Sequence, residues 1–152
     1  MEIKEYPEEQ VAAQAIGYWT GAANRIIVGG LRTALAEESL TQPHWWILNH
    51  IAGAPDEWTA ATLTAKLTPY DDQNLDFDAI HTDLADRGWT RTSGDRLTLT
   101  PAGEAARERA RTRNAKVHAT MRAGVPDTDY AATINVLRRL IHNLGGASDL
   151  PA

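Results

Sequence analysis

The sequence predicts a mainly α-helical protein with one small β-hairpin. Apolar residues recur at steps of three and four in the long segments at both ends of the chain, which is typical of helices. They alternate with polar residues in only one short segment, residues 89–100. A length of 152 residues, 43% of them hydrophobic, suits one domain with a substantial core.

The first predicted helix covers about residues 8–37. Its apolar face follows helical steps through Ile16, Trp19, Ala23 and Ile26. Gly29 and Gly30 lie inside it and each costs about 1 kcal/mol relative to alanine. That cost indicates either close packing against another helix or a local bend.

Two shorter helices follow. Thr41 is a good N-cap for the second helix, which Gly53 and Pro55 end. The third, about residues 57–67, is capped by Thr59.

The fourth predicted helix, residues 72–87, is acidic. It buries Phe77, Ile80 and Leu84 on one face and ends at Gly88. Residues 71–86 contain no lysine or arginine but six aspartates: Asp71, Asp72, Asp76, Asp78, Asp83 and Asp86.

The C-terminal half begins with the hairpin, whose threonine-rich strands meet at a turn over residues 93–95. A long helix follows at about 102–122, and a last helix begins at Pro126 and ends at Gly145 and Gly146. The last helix carries an apolar stripe formed by Tyr130, Ile134, Leu137, Ile141 and Leu144. Since the central segment closes on itself, we expect the helices at the two chain ends to form a dimer interface.

Three stretches of this sequence resemble the MarR family of winged-helix regulators. "LAEESLTQPHWWIL" is similar to the passage between the family's first two helices, and "LADRGWTRT" to the end of its recognition helix and first wing strand. "LTLTPAGEAARERA" is similar to the second wing strand and the helix after it. The resemblance implies a winged helix-turn-helix at about 41–101, flanked by dimerisation helices at about 8–37 and 102–147.

The same resemblance implies a function. Members of the family are mostly homodimers that bind pseudo-palindromic double-stranded DNA, and many release it when a small, often aromatic, ligand binds between the dimerisation helices and the winged helix. In this chain the helix 72–87 and the wing 89–100 would contact DNA. The residues that would do so are Gln73, Asn74, His81, Thr82, Arg87, Arg91 and Arg96.

Two features depart from the family pattern. The wing is several residues shorter than usual and keeps only Asp95 and Arg96 of the usual arginine-rich tip, which puts minor-groove insertion in doubt. The acidic helix would meet a polyanion, whereas DNA affinity comes largely from lysine and arginine. Asp71 and Asp72 would cap the helix and Asp86 would pair with Arg87, which leaves Asp76, Asp78 and Asp83 to repel phosphate.

Compensation for these aspartates would come from Arg87, Arg91 and Arg96 around the wing and from the basic stretch 107–116. Residues 104–122 carry a net charge of +4 in a protein whose net charge is −5. The alternative is that this basic stretch is simply the solvated face of a long helix. Lys66 is a further cation close in sequence to the acidic helix.

Aromatic residues and histidines indicate a ligand pocket. Aromatic walls with a few polar groups suit a planar ligand. The candidates for binding it are Tyr18, Trp19, His44, Trp45 and Trp46, and the resemblance to the family implies that His118 joins them from the helix after the wing. The alternative is that the two adjacent tryptophans are ordinary core and interface residues.

Several functional classes find no support in the sequence. The absence of cysteine excludes disulfides and thiolate metal sites. No nucleophile elbow, phosphate-binding loop or metal-ligand histidine spacing is present, so we assign no catalytic residue, metal or cofactor. No segment approaches the apolar length of a membrane span, and the acidic N-terminus is unlike a secretory signal, so we expect a cytoplasmic protein.

Three hypotheses remain. The chain is a ligand-responsive DNA-binding regulator, or a MarR-like protein that has lost DNA binding and binds or transforms a small aromatic metabolite. In the third hypothesis it is an interaction module whose acidic helix meets a basic partner.

Overall fold

The computed structural model describes residues 3–151, which are mainly helical and include one two-stranded antiparallel sheet, as predicted. The elements are α1 (Glu8–Ala12), α2 (Ile16–Ala36), α3 (Gln42–Gly53), α4 (Ala60–Leu67), α5 (Phe77–Asp86), β1 (Thr90–Ser93), β2 (Arg96–Leu99), α6 (Pro101–Arg122) and α7 (Asp127–Asn143). A 3-10 turn, Thr68–Tyr70, follows α4. The chain divides into two compact units after Val117.

The core of the first unit lies where α3, α4, α5 and β2 meet. It is formed by Leu35, Leu40, Ile47, Leu48, Ile51, Leu63, Leu67, Phe77, Ile80, Leu84, Leu97 and Ala110. The predicted inward face of the acidic helix is confirmed, because Phe77, Ile80 and Leu84 are all buried. Helix α5 is therefore attached to the core by one apolar face.

The hairpin is short and tightly turned. Ser93 pairs with Arg96, which leaves Gly94 and Asp95 as a two-residue turn. Gly94 has φ +65°, as the first position of a type II′ turn requires. On the other edge of β2, the Leu97 amide donates to the Trp58 carbonyl at 2.8 Å and its carbonyl accepts from the Asp56 amide at 3.1 Å. Two backbone hydrogen bonds thus hold the segment before α4 against β2 of the hairpin.

Two helix boundaries differ from the sequence prediction. The predicted helix over residues 8–37 is two helices, with an extended backbone at Ala15 before α2 begins. The residues around this break are alanine and glutamine, which favour helix, so nothing local marked it. The predicted helix over 72–87 begins only at Phe77, because Asp76 is its N-cap and accepts from the Ala79 amide at 3.1 Å.

Of the two explanations for the glycine pair, the structure supports close packing. A Cβ added to Gly30 would lie 3.4 Å from Cγ1 of Val117 on α6. A Cβ added to Gly29 would have no heavy atom within 4 Å among the described residues. Gly30 is therefore the position where α2 and α6 come close.

The second unit contains the end of α6 and α7. Arg122 pairs with Asp127 at 2.6 Å and lies over the Tyr130 ring, and Gly145 with φ +79° follows the end of α7, as predicted. Of the apolar stripe on α7, Ile134 and Leu137 are half-buried, whereas Tyr130, Ile141 and Leu144 are exposed within the described chain, Leu144 by 90%. Within residues 3–151, no helix combines the length and apolar character needed to cross a bilayer.

Candidate nucleic-acid interface

The arrangement of α4, α5 and the hairpin leaves one face of α5 open to solvent. Phe77, Ile80 and Leu84 fix the opposite face in the core. The open face presents Asp78, Thr82 and Asp86, which form one row because they are spaced by four residues. No cation stands in this row.

The residues predicted to contact bases on this helix occupy different positions. Gln73 and Asn74 are exposed but lie in the loop before α5, and Asn74 adopts a left-handed conformation with φ +53°. Thr82 lies in the exposed row. His81 turns towards α4, where its Nε2 is 3.2 Å from Thr64 Oγ1, and burial lowers its pKa. Of the four, only Thr82 lies in the open face of the helix.

Three of the six aspartates stabilise the loop that leads into α5. The Asp71 carboxylate accepts from the Gln73 amide at 3.1 Å and the Leu75 amide at 2.6 Å. Asp72 pairs with Arg32 of α2. Asp76 caps α5, the role expected for Asp71 and Asp72. All three carboxylates therefore have structural partners: Asp71 and Asp76 accept from backbone amides, and Asp72 pairs with an arginine.

A fourth aspartate, Asp83, joins α5 to α3. Its Oδ2 lies 3.0 Å from His44 Nε2 and 2.7 Å from the Arg87 guanidinium. Burial acts against ionisation, but hydrogen bonds from Arg87 and His44 outweigh it and lower the pKa of the carboxyl group. Arg87 pairs with Asp83 rather than with the expected Asp86. Only Asp78 and Asp86 have no hydrogen-bond or ion-pair partner within residues 3–151.

His44, proposed from the sequence as a ligand contact, is a buried structural residue at the start of α3. Its Nδ1 accepts a hydrogen bond from the Thr41 amide at 3.1 Å and lies 2.7 Å from the Thr41 hydroxyl. Nδ1 is therefore unprotonated and Nε2 donates to Asp83. Burial lowers the pKa of His44, although the bond to Asp83 opposes this. The side chain is only 9% exposed, so a ligand would have to displace it to gain access.

The three arginines of the wing region differ in availability. Arg87 donates to Asp83 and to the Ser39 carbonyl, and it lies over the Trp89 ring. Arg96 donates to the Glu57 carbonyl at 2.7 Å, and its Nε lies 3.7 Å from the Asp95 carboxylate. Arg91 is exposed and has no hydrogen-bond or ion-pair partner in the described part of the chain. Arg91 is therefore the wing cation best placed to reach a phosphate.

Most of the basic stretch on α6 is neutralised within the protein. Glu38, at the end of α2, accepts from Arg109 at 3.0 Å and from Arg113 at 2.6 Å. Hydrogen bonds from these two arginines lower the pKa of Glu38. Arg107 and Arg111 pair with glutamates of α6 itself. Two of these arginines link α6 to α2, while Arg109 and Arg111 are still more than half exposed, as on a solvated helix face.

The aromatic candidates for a ligand site form two groups in the first unit. Trp45 and Trp46 are half-buried against the winged-helix core. Tyr18 and Trp19 are exposed at the start of α2, stacked edge to face with ring centroids 5.3 Å apart. Leu35, which belongs to that core, is about 24 Å further along α2 than Trp19. The two groups therefore do not line one pocket within the first unit.

A groove that the sequence did not indicate lies at the N-terminus. It has a volume of about 970 Å³, and Tyr6, Val11, Ile16 and Trp19 contribute to its apolar lining. His118, the remaining ligand candidate, is exposed on α6 at the start of the second unit. No group of three or more His, Asp or Glu residues able to hold a metal occurs within residues 3–151.

The fold has clear counterparts among solved structures. No protein-family model and no curated protein matches the sequence. A MarR family transcriptional regulator from Silicibacter pomeroyi superposes with a TM-score of 0.68 at 18% identity, over 91% of this chain and 99% of that one. A Mycobacterium tuberculosis MarR family protein in complex with DNA matches with a TM-score of 0.65 at 21% identity, over 84% and 98% of the two chains. The chain has the MarR fold. A Mycobacterium tuberculosis MarR family protein in complex with salicylic acid matches with a TM-score of 0.57 at 21% identity, over 83% and 98%.

Within the MarR fold, α3, α4, α5 and the hairpin are the winged helix, and α5 is the helix that precedes the wing. The helix predicted before the wing is therefore present, but it begins at Phe77 and not at residue 72. Against that background the chain has an acidic open face on α5 and a wing with a two-residue turn.

Proposed function

We propose that this protein is a homodimeric, ligand-responsive DNA-binding transcriptional regulator of MarR type that acts in the cytoplasm. The observation that carries the proposal is the fold itself, which matches a MarR family protein in complex with DNA over 84% of this chain. Helix α5 is anchored by one apolar face and leaves the other accessible, as a helix that enters the major groove requires. The apolar stripe on α7 supports the proposed dimer.

In this proposal, the contacts with DNA divide between two elements. Thr82 on α5 and the loop residues Gln73 and Asn74 contact base edges, since hydroxyl and amide groups bond to bases in the major groove. Arg91 on the wing binds a phosphate, and Lys66 of α4 is a second cation free of ion pairs among the described residues. The remaining predicted contacts lie near the proposed interface, but their polar groups already have partners within the protein. These residues are His81, Arg87 and Arg96.

This division of contacts leads to a shallow salt dependence. Each phosphate contact contributes a slope of about −0.9 in log affinity against log salt. With Arg91 and Lys66 on each of two protomers, we expect a slope of about −4. A much steeper slope would mean that the arginines of α6 leave their glutamates to bind phosphate.

The experiment is fluorescence anisotropy with duplex from the upstream region of the protein's own coding sequence, at about 50 to 200 mM salt, where electrostatic binding varies strongly. We expect Arg91→Ala to weaken binding and to reduce the slope by about 2 per dimer. Lys116→Ala removes the same charge from an exposed position on α6 and is the matched control. Equal effects of the two variants would contradict the role of Arg91, and no specific binding by the wild type would contradict DNA binding altogether.

A small aromatic acid is the effector class that we propose. Its support is the fold match to a MarR family protein in complex with salicylic acid and the tryptophans beside the core, Trp45 and Trp46. That Tyr18, Trp19 and His118 also contact the ligand stays a prediction from the sequence. Titration of tryptophan fluorescence with salicylate, in the wild type and in Trp45→Phe, tests the proposal. Salicylate that changes neither the fluorescence nor the DNA affinity would contradict it.

The acidic row on α5 favours a second candidate function. Asp78 and Asp86 have no partner within residues 3–151, and a phosphate backbone repels both. A MarR-like protein that has lost DNA binding and binds or transforms a small aromatic metabolite would tolerate such a face. The two candidates differ in the anisotropy experiment, since the second requires ligand binding without any specific binding to duplex.

A further inference from the structure

We propose that Asp83 is a positioning residue, which together with His44 and Arg87 fixes α5 on α3 in the orientation needed to meet DNA. The inference rests on the proposed DNA-binding function. It also gives a structural role to part of the acidity of residues 71–86. Four of the six aspartates there have partners within the protein, and only Asp78 and Asp86 have none within residues 3–151.

The contacts of Asp83 span three parts of the winged helix. Its carboxylate accepts from His44 Nε2 at 3.0 Å, and His44 belongs to the first turn of α3. It also accepts from Arg87, four residues further along, at 2.7 Å. Arg87 in turn donates to the Ser39 carbonyl at 2.9 Å, in the segment between α2 and α3. One carboxylate therefore links the middle of α5, its C-terminal end and the start of α3.

This link supplies directional restraint that the apolar face of α5 does not. Burial of Phe77, Ile80 and Leu84 holds the helix against the core, but hydrophobic contact is not directional. Charge-assisted hydrogen bonds are short and depend on angle, so they set the rotation and axial position of the helix. A rotation of α5 would change which of Asp78, Thr82 and Asp86 meets a base edge.

The contacts of His44 fix which of its two ring nitrogens can donate to Asp83. Because Thr41 donates its amide hydrogen to Nδ1 at 3.1 Å, the only ring proton of neutral His44 is on Nε2. That proton points to Asp83, so the carboxylate is the acceptor that matches the imposed tautomer. The charged groups that face His44 are Asp83 on α5 and Arg87 at the C-cap of that helix.

Two substitutions on α5 that remove the same charge should have opposite effects on the specific DNA affinity, if Asp83 positions the helix. Asp78→Asn and Asp83→Asn each remove one negative charge from the helix. Removing the unpartnered charge of Asp78 reduces repulsion from phosphate, and a charge interaction screened by water corresponds to a gain in affinity of about twofold. Removing the charge of Asp83 also loosens the link to His44 and Arg87, which lowers the fraction of molecules in the binding orientation.

The test measures the affinity of full-length wild type, Asp78→Asn and Asp83→Asn for the specific duplex and for an unrelated duplex of equal length. We expect Asp78→Asn to strengthen both affinities by a similar factor. We expect Asp83→Asn to weaken specific binding by about threefold or more while non-specific binding stays equal or improves. Circular dichroism and melting temperature verify that each variant is folded.

Two further measurements test the positioning role even if Asp83→Asn does not fold. Arg87→Lys retains the charge but loses the planar group that donates to both Asp83 and Ser39, so it should weaken specific binding as Asp83→Asn does. Nitrogen NMR of wild-type His44 should show a protonated Nε2 and an unprotonated Nδ1. The Nε2 signal should move in Asp83→Asn and stay in Asp78→Asn.

Each outcome has a definite meaning. Specific binding that strengthens equally in Asp78→Asn and Asp83→Asn would overturn the positioning role and leave the proposed function intact. A His44 ring protonated on Nδ1, or wild-type affinity in Arg87→Lys, would overturn it as well. Absence of specific binding in the wild type and in Asp78→Asn would overturn the proposed function, and the positioning role with it.

Discussion

Replacing Gly103 by alanine should destabilise the protein, although the same change in most helices stabilises it. Gly103 lies in the first turn of α6 where the backbone of Trp89, just before β1, crosses it. A Cβ at this position would lie 2.0 Å from the Trp89 carbonyl oxygen and 2.8 Å from its carbonyl carbon. Contacts of a Cβ below 3.0 Å are essentially never found in proteins, so the backbone would have to move by about 1 Å.

The magnitude follows from two opposing effects. Overpacking costs about 1 to 3 kcal/mol, and a backbone clash lies at the upper end of that range because no side chain can rotate away. Alanine recovers about 1 kcal/mol of helix propensity relative to glycine. The moving carbonyl also accepts the Thr100 amide at 3.0 Å, a bond that the shift strains. We expect a net loss of about 2 kcal/mol, or a melting temperature lower by about 4 to 8 °C.

Gly29→Ala is the matched control. Gly29 lies inside α2, and an added Cβ would meet no heavy atom within 4 Å among the described residues. This variant should gain about 1 kcal/mol from helix propensity alone. Thermal and urea unfolding of both variants measure the difference. A Gly103→Ala variant that melts at or above the wild type would refute the close approach of α6 to the Trp89 backbone.

Three further outcomes can be checked by urea unfolding. Leu84→Ala should lower the free energy of unfolding by about 2 to 5 kcal/mol, because Leu84 is 0% exposed. Thr82→Ala, on the open face of the same helix, should lower it by less than about 0.5 kcal/mol. Similar losses in the two variants would contradict the burial of one face of α5. Burial lowers the pKa of His44 and His81 from 6.5, so the unfolded chain binds protons there that the folded chain does not. Stability should therefore fall as the pH drops below about 6.5, and a flat profile between pH 7 and 5 would be inconsistent with buried neutral imidazoles. Glu38→Gln should lower the free energy of unfolding by about 1 kcal/mol, since two arginines of α6 donate to this carboxylate. An unchanged free energy would show that these pairs do not hold α6 to α2.

The sequence by itself determined the order of the elements from α3 onwards and the inward faces of α4 and α5. Leu63, Leu67, Phe77, Ile80 and Leu84 follow a helical period, and all five are buried. Residues near the ends of elements were also readable, because Thr41, Thr59, Gly94 and Gly145 act through local backbone geometry. Periodicity and capping depend on neighbours in sequence, which is why they could be predicted.

Only the tertiary structure decided what the charged residues do. Asp83 was expected to repel phosphate, but it is held by His44, which lies 39 residues earlier in the chain. The arginines of α6 were candidates for DNA, but Glu38, more than 70 residues away from them, accepts from two of them. The start of α5 shifted from residue 72 to Phe77 because Asp71 bonds to the amides of the loop instead of capping a helix. A charge can be satisfied by any partner that the fold brings within about 3 Å, and sequence spacing carries no information about such long-range partners.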